Sequence, residues 1–163
     1  MKTNWKIGFG ILTTLVSLAP VTSVLADELF YNTSNGAAAV GVFDRSGNFT
    51  QLKGYPPGGF STNWSQIVNT PQGVFFYNIS TGAAAFGVFD HSGNYTQLKG
   101  YPPGGFNTGW SQIVNTPQGV FFYNTNNGLA AIGVFDRSGN YTQLNFYSAG
   151  TFATGWTKII EQP

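Results

Sequence analysis

The sequence predicts an all-β protein built from three four-stranded antiparallel repeats. Three observations carry that expectation. Phe30-Tyr31-Asn32 returns as Phe76-Tyr77-Asn78 and Phe122-Tyr123-Asn124, a 46-residue step that Trp64, Trp110 and Trp156 also keep. Within each step, runs rich in aromatic and β-branched residues alternate with Gly, Pro, Asn and Ser clusters, at the spacing of about 8–12 residues typical of all-β domains. Residues 27–163 sustain no helical period.

Residues 1–26 read as a cleavable export leader. Lys2 and Lys6 give a positive start, Ile7 to Ala19 is apolar, and Ser23-Val24-Leu25-Ala26 ends in residues a signal peptidase accepts. The apolar run is short for a membrane span, an uncleaved anchor being the alternative. Cleavage after Ala26 leaves five basic and six acidic residues, a net charge of −1, with no Met and no Cys. A secreted, periplasmic or cell-surface protein is expected, with no membrane span after cleavage and no disulfides.

The three repeats follow as units of about 28–73, 74–119 and 120–163. Residues 30–75 and 76–121 differ at seven of 46 positions. In the second unit the strands are expected at Val74 to Asn78, Ala83 to Asp90, Tyr95 to Tyr101 and Trp110 to Thr116. Ser80-Thr81-Gly82, His91-Ser92-Gly93-Asn94 and Pro102-Pro103-Gly104-Gly105 divide them with residues that favour turns. The third unit is looser, with Ser148-Ala149-Gly150-Thr151 in place of the Pro-Pro-Gly-Gly run.

A repeated four-stranded unit of this length suits a β-propeller blade or a β-trefoil lobe. The slim second strand, Ala83-Ala84-Ala85 with Gly87, favours blades, because small side chains suit strands crowded around a central axis. Propellers have about four to eight blades. Two three-bladed chains would close one six-bladed ring, whereas three lobes already complete a trefoil.

The run Val74-Phe75-Phe76-Tyr77-Asn78, with Gly82-Ala83-Ala84-Ala85, Asp90, Ser92-Gly93-Asn94-Tyr95-Thr96 and Gly109-Trp110-Ser111-Gln112-Ile113-Val114, resembles one blade of the repeat propeller lectins. These include the tachylectin-type lectins and the short-blade fucose lectins of bacteria and fungi. The resemblance covers 28–161. It implies a carbohydrate-binding ring assembled from several chains.

Composition narrows the functional classes. Only 8% of residues are charged and 17% are aromatic. That excludes a charge-rich disordered chain. A net charge of +1 without a basic run excludes nucleic-acid binding through phosphate neutralisation. One His and no Cys exclude Cys/His zinc sites and thiol nucleophiles, and no cofactor is expected.

The candidate ligand-binding residues are those present once per unit. Trp64, Trp110 and Trp156 offer indole faces that stack on the C–H face of a sugar, the alternative being packing between blades. Tyr55, Tyr101 and Tyr147 begin the Tyr-Pro-Pro-Gly-Gly-Phe loop or its third-copy variant. Arg45 and Arg137, with His91 at the same turn position, are cations suited to a hydroxyl or carboxylate. Asp44, Asp90 and Asp136 are expected to close Asx turns rather than to bind calcium, which needs several carboxylates together. Asn32, Asn48, Asn63, Asn78, Asn94 and Asn140 begin glycosylation sequons, read here as by-products of the repeat.

No catalytic function is expected, because catalysis gives different roles to different residues and here the polar residues are triplicated. Equivalent shallow sites on a homo-oligomer, gaining avidity for glycans, fit the pattern. The alternative is a structural or adhesion module that binds protein or self-assembles at the cell surface.

Overall fold

The computed structural model of the chain describes residues 27–160, so the expected leader lies outside the described residues. Strands and turns account for all of the regular structure there, and no helix occurs. β1 (Asp27–Tyr31), β2 (Ala38–Phe43) and β3 (Phe49–Tyr55) form a three-stranded sheet. β4 (Gln66–Thr70), β5 (Gly73–Tyr77), β6 (Ala84–Phe89) and β7 (Tyr95–Tyr101) form a four-stranded one. β8 (Gln112–Thr116), β9 (Gly119–Tyr123), β10 (Ala130–Phe135) and β11 (Tyr141–Tyr147) form another. Within each sheet, strands adjacent in sequence pair antiparallel, and no pairing links β3 to β4 or β7 to β8.

The strands fall close to their expected positions, but the sheets divide the repeat elsewhere. The run after Trp64 and that after Trp110, each expected as the fourth strand of its own unit, is the first strand of the next sheet. Ile67 lies opposite Phe76 and Ile113 opposite Phe122. The connection explains this. Thr70 pairs with Gly73 across Pro71-Gln72, a two-residue hairpin that brings its flanking strands together with almost no loop to close. The sheets therefore span 66–101 and 112–147 rather than 74–119 and 120–163.

The slim second strand has a different cause from the crowded axis the sequence suggested. β6 is third in its sheet, and the backbones of the two four-stranded sheets come closest at β4 and β8. Gln66 Nε2 donates to the Ser111 carbonyl there at 3.1 Å. At Gly87 the small residue instead makes room for an aromatic ring. A Cβ would stand 2.5 Å from the Tyr95 ring and from the Thr96 carbonyl oxygen. The register shifts at the same point, Phe86 facing Lys99 and Gly87 facing Gln97, so Leu98 is the extra residue of a bulge. A ring laid across a strand glycine restores burial that the glycine lacks. Phe49 over Gly41 and Tyr141 over Gly133 repeat the device.

Neighbouring sheets meet through aromatic side chains. Phe75, Phe76, Phe86 and Phe122 are all but sealed from solvent. Phe86 stacks on Phe135 at 4.6 Å, and Phe60 and Phe106, from the loops after β3 and β7, stack over Phe76 and Phe122 at 5.8 and 5.7 Å. A tyrosine hydroxyl ties each junction. Tyr55 Oη donates to the Gly93 carbonyl and accepts the Tyr95 N–H, both at 2.7 Å. Tyr101 does the same with Gly139 and Tyr141.

Tyr95 holds one unsatisfied group. Its hydroxyl is buried without a hydrogen-bond partner, and burial pushes the phenol up to about 12. The first repeat has Phe49 at this position. Tyr95→Phe removes an unpaired buried hydroxyl, which costs about 1 kcal/mol or more. The variant should melt about 2–4 °C higher. The folded-state value lies above the unfolded tyrosine value of 10.0. The Tyr95 contribution is therefore unchanged from neutrality up to pH 10 and drains as pH rises towards 12, and Tyr95→Phe should lose less stability over that range. A lower melting point in the variant would mean that the hydroxyl has a partner after all.

Candidate functional site

The turn between β5 and β6 is held by Asn78, whose Oδ1 accepts the N–H groups of Ser80 and Thr81 at 3.0 and 3.1 Å. That leaves its NH₂ donors for other partners. Ser65 Oγ anchors the turn to the preceding loop. It donates to the Tyr77 carbonyl at 3.1 Å and accepts the Ile79 N–H at 2.8 Å. Trp64, one residue earlier, is half-buried and lays its indole against Phe76, with centroids 6.0 Å apart. Asn63 beside it has φ +67°, a left-handed conformation that Asn tolerates better than most residues.

These contacts leave an open cleft of about 510 Å³ between the loop and the turn. Trp64 and Ile79 are its apolar surface, and Thr33, Asn63, Ser65, Asn78, Ser80 and Thr81 supply hydroxyls and amides. A smaller cleft of about 320 Å³, bordered by Phe60, Phe76, Tyr95 and Gln97, also reaches Trp64. The larger one lies within the usual size range of small-ligand sites. An aromatic face ringed by neutral donors and acceptors can stack on a sugar and hydrogen-bond its hydroxyls. No side chain lining it titrates near neutrality, so binding there should be flat between about pH 5 and pH 9. Affinity measured by titration calorimetry across that range checks this, and a tenfold drop would place a charged group at the site.

The chain matches no family model and no curated protein.

The three tryptophans are not equivalent, contrary to the expectation of one site per unit. Trp110 is only 3% exposed and lies inside the main core against Phe122. Trp156 is 59% exposed. Two of the seven differences between the first two repeats mark the change. Ile79 stands where the first repeat has Thr33, and it packs on the core cluster containing Trp110. Gly109 replaces Asn63. Those substitutions were the legible signal that one indole had joined the core.

Tyr55 and Tyr101 spend their hydroxyls on the sheet-to-sheet ties described above, so neither presents a free hydroxyl to a ligand. Tyr147 makes no such tie among the described residues and packs edge-on against Phe152. Arg45, His91 and Arg137 sit on exposed turns and line neither cleft at Trp64.

The Asp turns form as expected. Asp44 Oδ1 accepts the N–H groups of Ser46 and Asn48 at 2.8 Å, and Asn48 Nδ2 donates to Oδ2 at 2.9 Å. Asp90 and Asp136 repeat the arrangement. The amide of Asn48, Asn94 or Asn140, more than any other partner, holds each carboxyl below the ordinary range. The sequon asparagines at 32, 48, 78, 94 and 140 thus serve turn chemistry, Asn32 and Asn78 through Oδ1 and the others through Nδ2.

Proposed function

We propose that the protein is an exported, multivalent, lectin-like β-propeller protein that binds glycans and works as a homo-oligomer, most simply two chains closing a six-bladed ring. The observation that carries the binding is the uncharged cleft at Trp64. Blades rather than trefoil lobes are supported by the separate sheets, each with its strands in sequence order, and by the approach of β4 to β8.

A glycan array followed by titration tests the reading. Trp64→Ala should weaken binding at least tenfold, because truncating a central aromatic anchor typically costs about 2 kcal/mol or more. Trp110→Ala belongs outside that comparison, since it opens a core cavity instead. Unchanged glycan affinity in Trp64→Ala would overturn the assignment. The second reading is a structural or adhesion module, favoured by the burial of Trp110 and by the apolar outer faces of the array. A protein that binds no glycan on the array but self-assembles would support it.

A further inference from the structure

We propose that the segment Trp156–Ile160 of one copy completes the three-stranded sheet of a second copy. It would run antiparallel to β1, with Lys158 opposite Tyr31, Ile159 opposite Phe30 and Ile160 opposite Leu29. The inference deepens the homo-oligomer reading and rests on it.

The register comes from the repeat. Gln66, Ile67 and Val68 face Tyr77, Phe76 and Phe75, and Gln112, Ile113 and Val114 face Tyr123, Phe122 and Phe121. One further step of 46 gives Lys158, Ile159 and Ile160, while one step back gives Tyr31, Phe30 and Leu29. Among the described residues, β1 is an edge strand whose counterparts β5 and β9 are covered on that side. Residues 156–160 form no strand, although their counterparts lead into β4 and β8.

The two outer faces of the array expose what the inner copies bury. Phe30 is 52% exposed, while Phe76 and Phe122 are each 1% exposed. Ile160 is 72% exposed against 8% for Val68. Phe76 is covered by Phe60 and Trp64, and Phe122 by Phe106 and Trp110. The corresponding cover for Phe30 is Phe152 with Trp156, from the opposite face. An open hollow of about 660 Å³ lies beside Phe30 and Tyr31, along β1 and β2.

The polar groups match as well. Tyr147 has the hydroxyl that at Tyr55 and Tyr101 binds the glycine of the next Asp turn. Gly93 and Gly139 are buried against the preceding sheet, whereas a Cβ at Gly47 would meet nothing within 4 Å. Thr157 keeps the hydroxyl of Ser65 and Ser111, each of which accepts a turn N–H at 2.8 Å. The matching donor is the N–H of Thr33.

The segment just before β1 is a poor substitute. Thr70-Pro71-Gln72-Gly73, which turns β4 into β5, becomes Val24-Leu25-Ala26-Asp27, without the proline or the glycine. Three of those four residues belong to the expected leader. Assembly has a functional consequence. The cleft at Trp156 would be composite, with Thr125 and Trp156 from one copy facing Asn32, Ser34 and Asn35 from the other.

Leu29→Cys combined with Ile160→Cys in the mature chain tests the register, because the chain has no cysteine of its own. Directly opposed strand positions lie within disulfide reach, about 5.5 Å between Cα atoms. Oxidation should give covalent multiples of the chain mass with the thiols consumed. Ile160→Asp alone should lower the native mass by light scattering to that of one chain at micromolar concentration. An oligomer with free thiols would overturn the strand contact and leave the homo-oligomer reading standing. Consumed thiols at single-chain mass, or an unchanged native mass in Ile160→Asp, would also overturn it. A monomeric wild-type protein would end the oligomer reading itself. None of these outcomes depends on glycan binding.

Discussion

Gly82→Ala should destabilise the protein by about 3 kcal/mol or more and lower its melting temperature by roughly 6–12 °C. Gly82 ends the turn that carries Asn78, Ser80 and Thr81, with φ +68°. An alanine there meets two penalties. The left-handed conformation costs about 1–2 kcal/mol for a residue with a Cβ. The added Cβ would also overlap the Phe106 carbonyl oxygen, a backbone atom with little freedom to move. Relief requires opening the clasp in which the Phe106 N–H donates to the Gly82 carbonyl at 3.0 Å and the Gly104 N–H to that of Thr81 at 2.8 Å. Each such bond contributes about 1 kcal/mol. Gly104→Ala is the control, because φ is +80° there and nothing lies within 4 Å of a Cβ. It should pay the conformational penalty alone. Equal losses from the two variants, by thermal or urea unfolding, would show that the clasp yields freely. The same opening displaces one wall of the Trp64 cleft, so Gly82→Ala should also weaken ligand binding.

Phe122→Ala should cost about 3–5 kcal/mol, the usual range for truncating a fully buried phenylalanine. Phe122 is enclosed by Phe75, Phe106, Trp110 and Tyr141, at ring distances of 5.8, 5.7, 5.8 and 5.6 Å. A cavity among so many rigid rings collapses poorly. Phe30→Ala makes the same chemical change at the same repeat position. Within one chain it should cost about 1 kcal/mol or less, since Phe30 is 52% exposed and its ring partner is Phe49. The variant's effect should appear instead as a lower native mass. Unfolding measured alongside light scattering separates the two. Phe30→Ala unfolding as easily as Phe122→Ala, with no change in mass, would mean that the first sheet is closed within its own chain.

Much of the local structure was legible in the sequence. Short strands between turn residues, and the Asx geometry at Asp44, Asp90 and Asp136, depend on neighbours a few residues apart. The repeat also announced that the pattern recurs, and in the second repeat Tyr95–Tyr101 formed as expected. The charge balance is likewise a property of the linear chain.

The tertiary structure alone decided which strands share a sheet, because hydrogen-bond partnership is a pairwise property that a repeat leaves undefined up to a shift of phase. Pro71-Gln72 set that phase by joining Thr70 to Gly73. It decided too that Gly87 serves the Tyr95 ring across a bulge, which no alternation of residue types specifies. The three tryptophans share a sequence position but not an environment. Thr33 beside Trp64 leaves a cleft, Ile79 packs on the core that holds Trp110, and Trp156 has no neighbouring sheet among the described residues. Burial is a sum over distant neighbours, so the repeat places an indole at residues 64, 110 and 156, and the surrounding sheets determine whether it meets water.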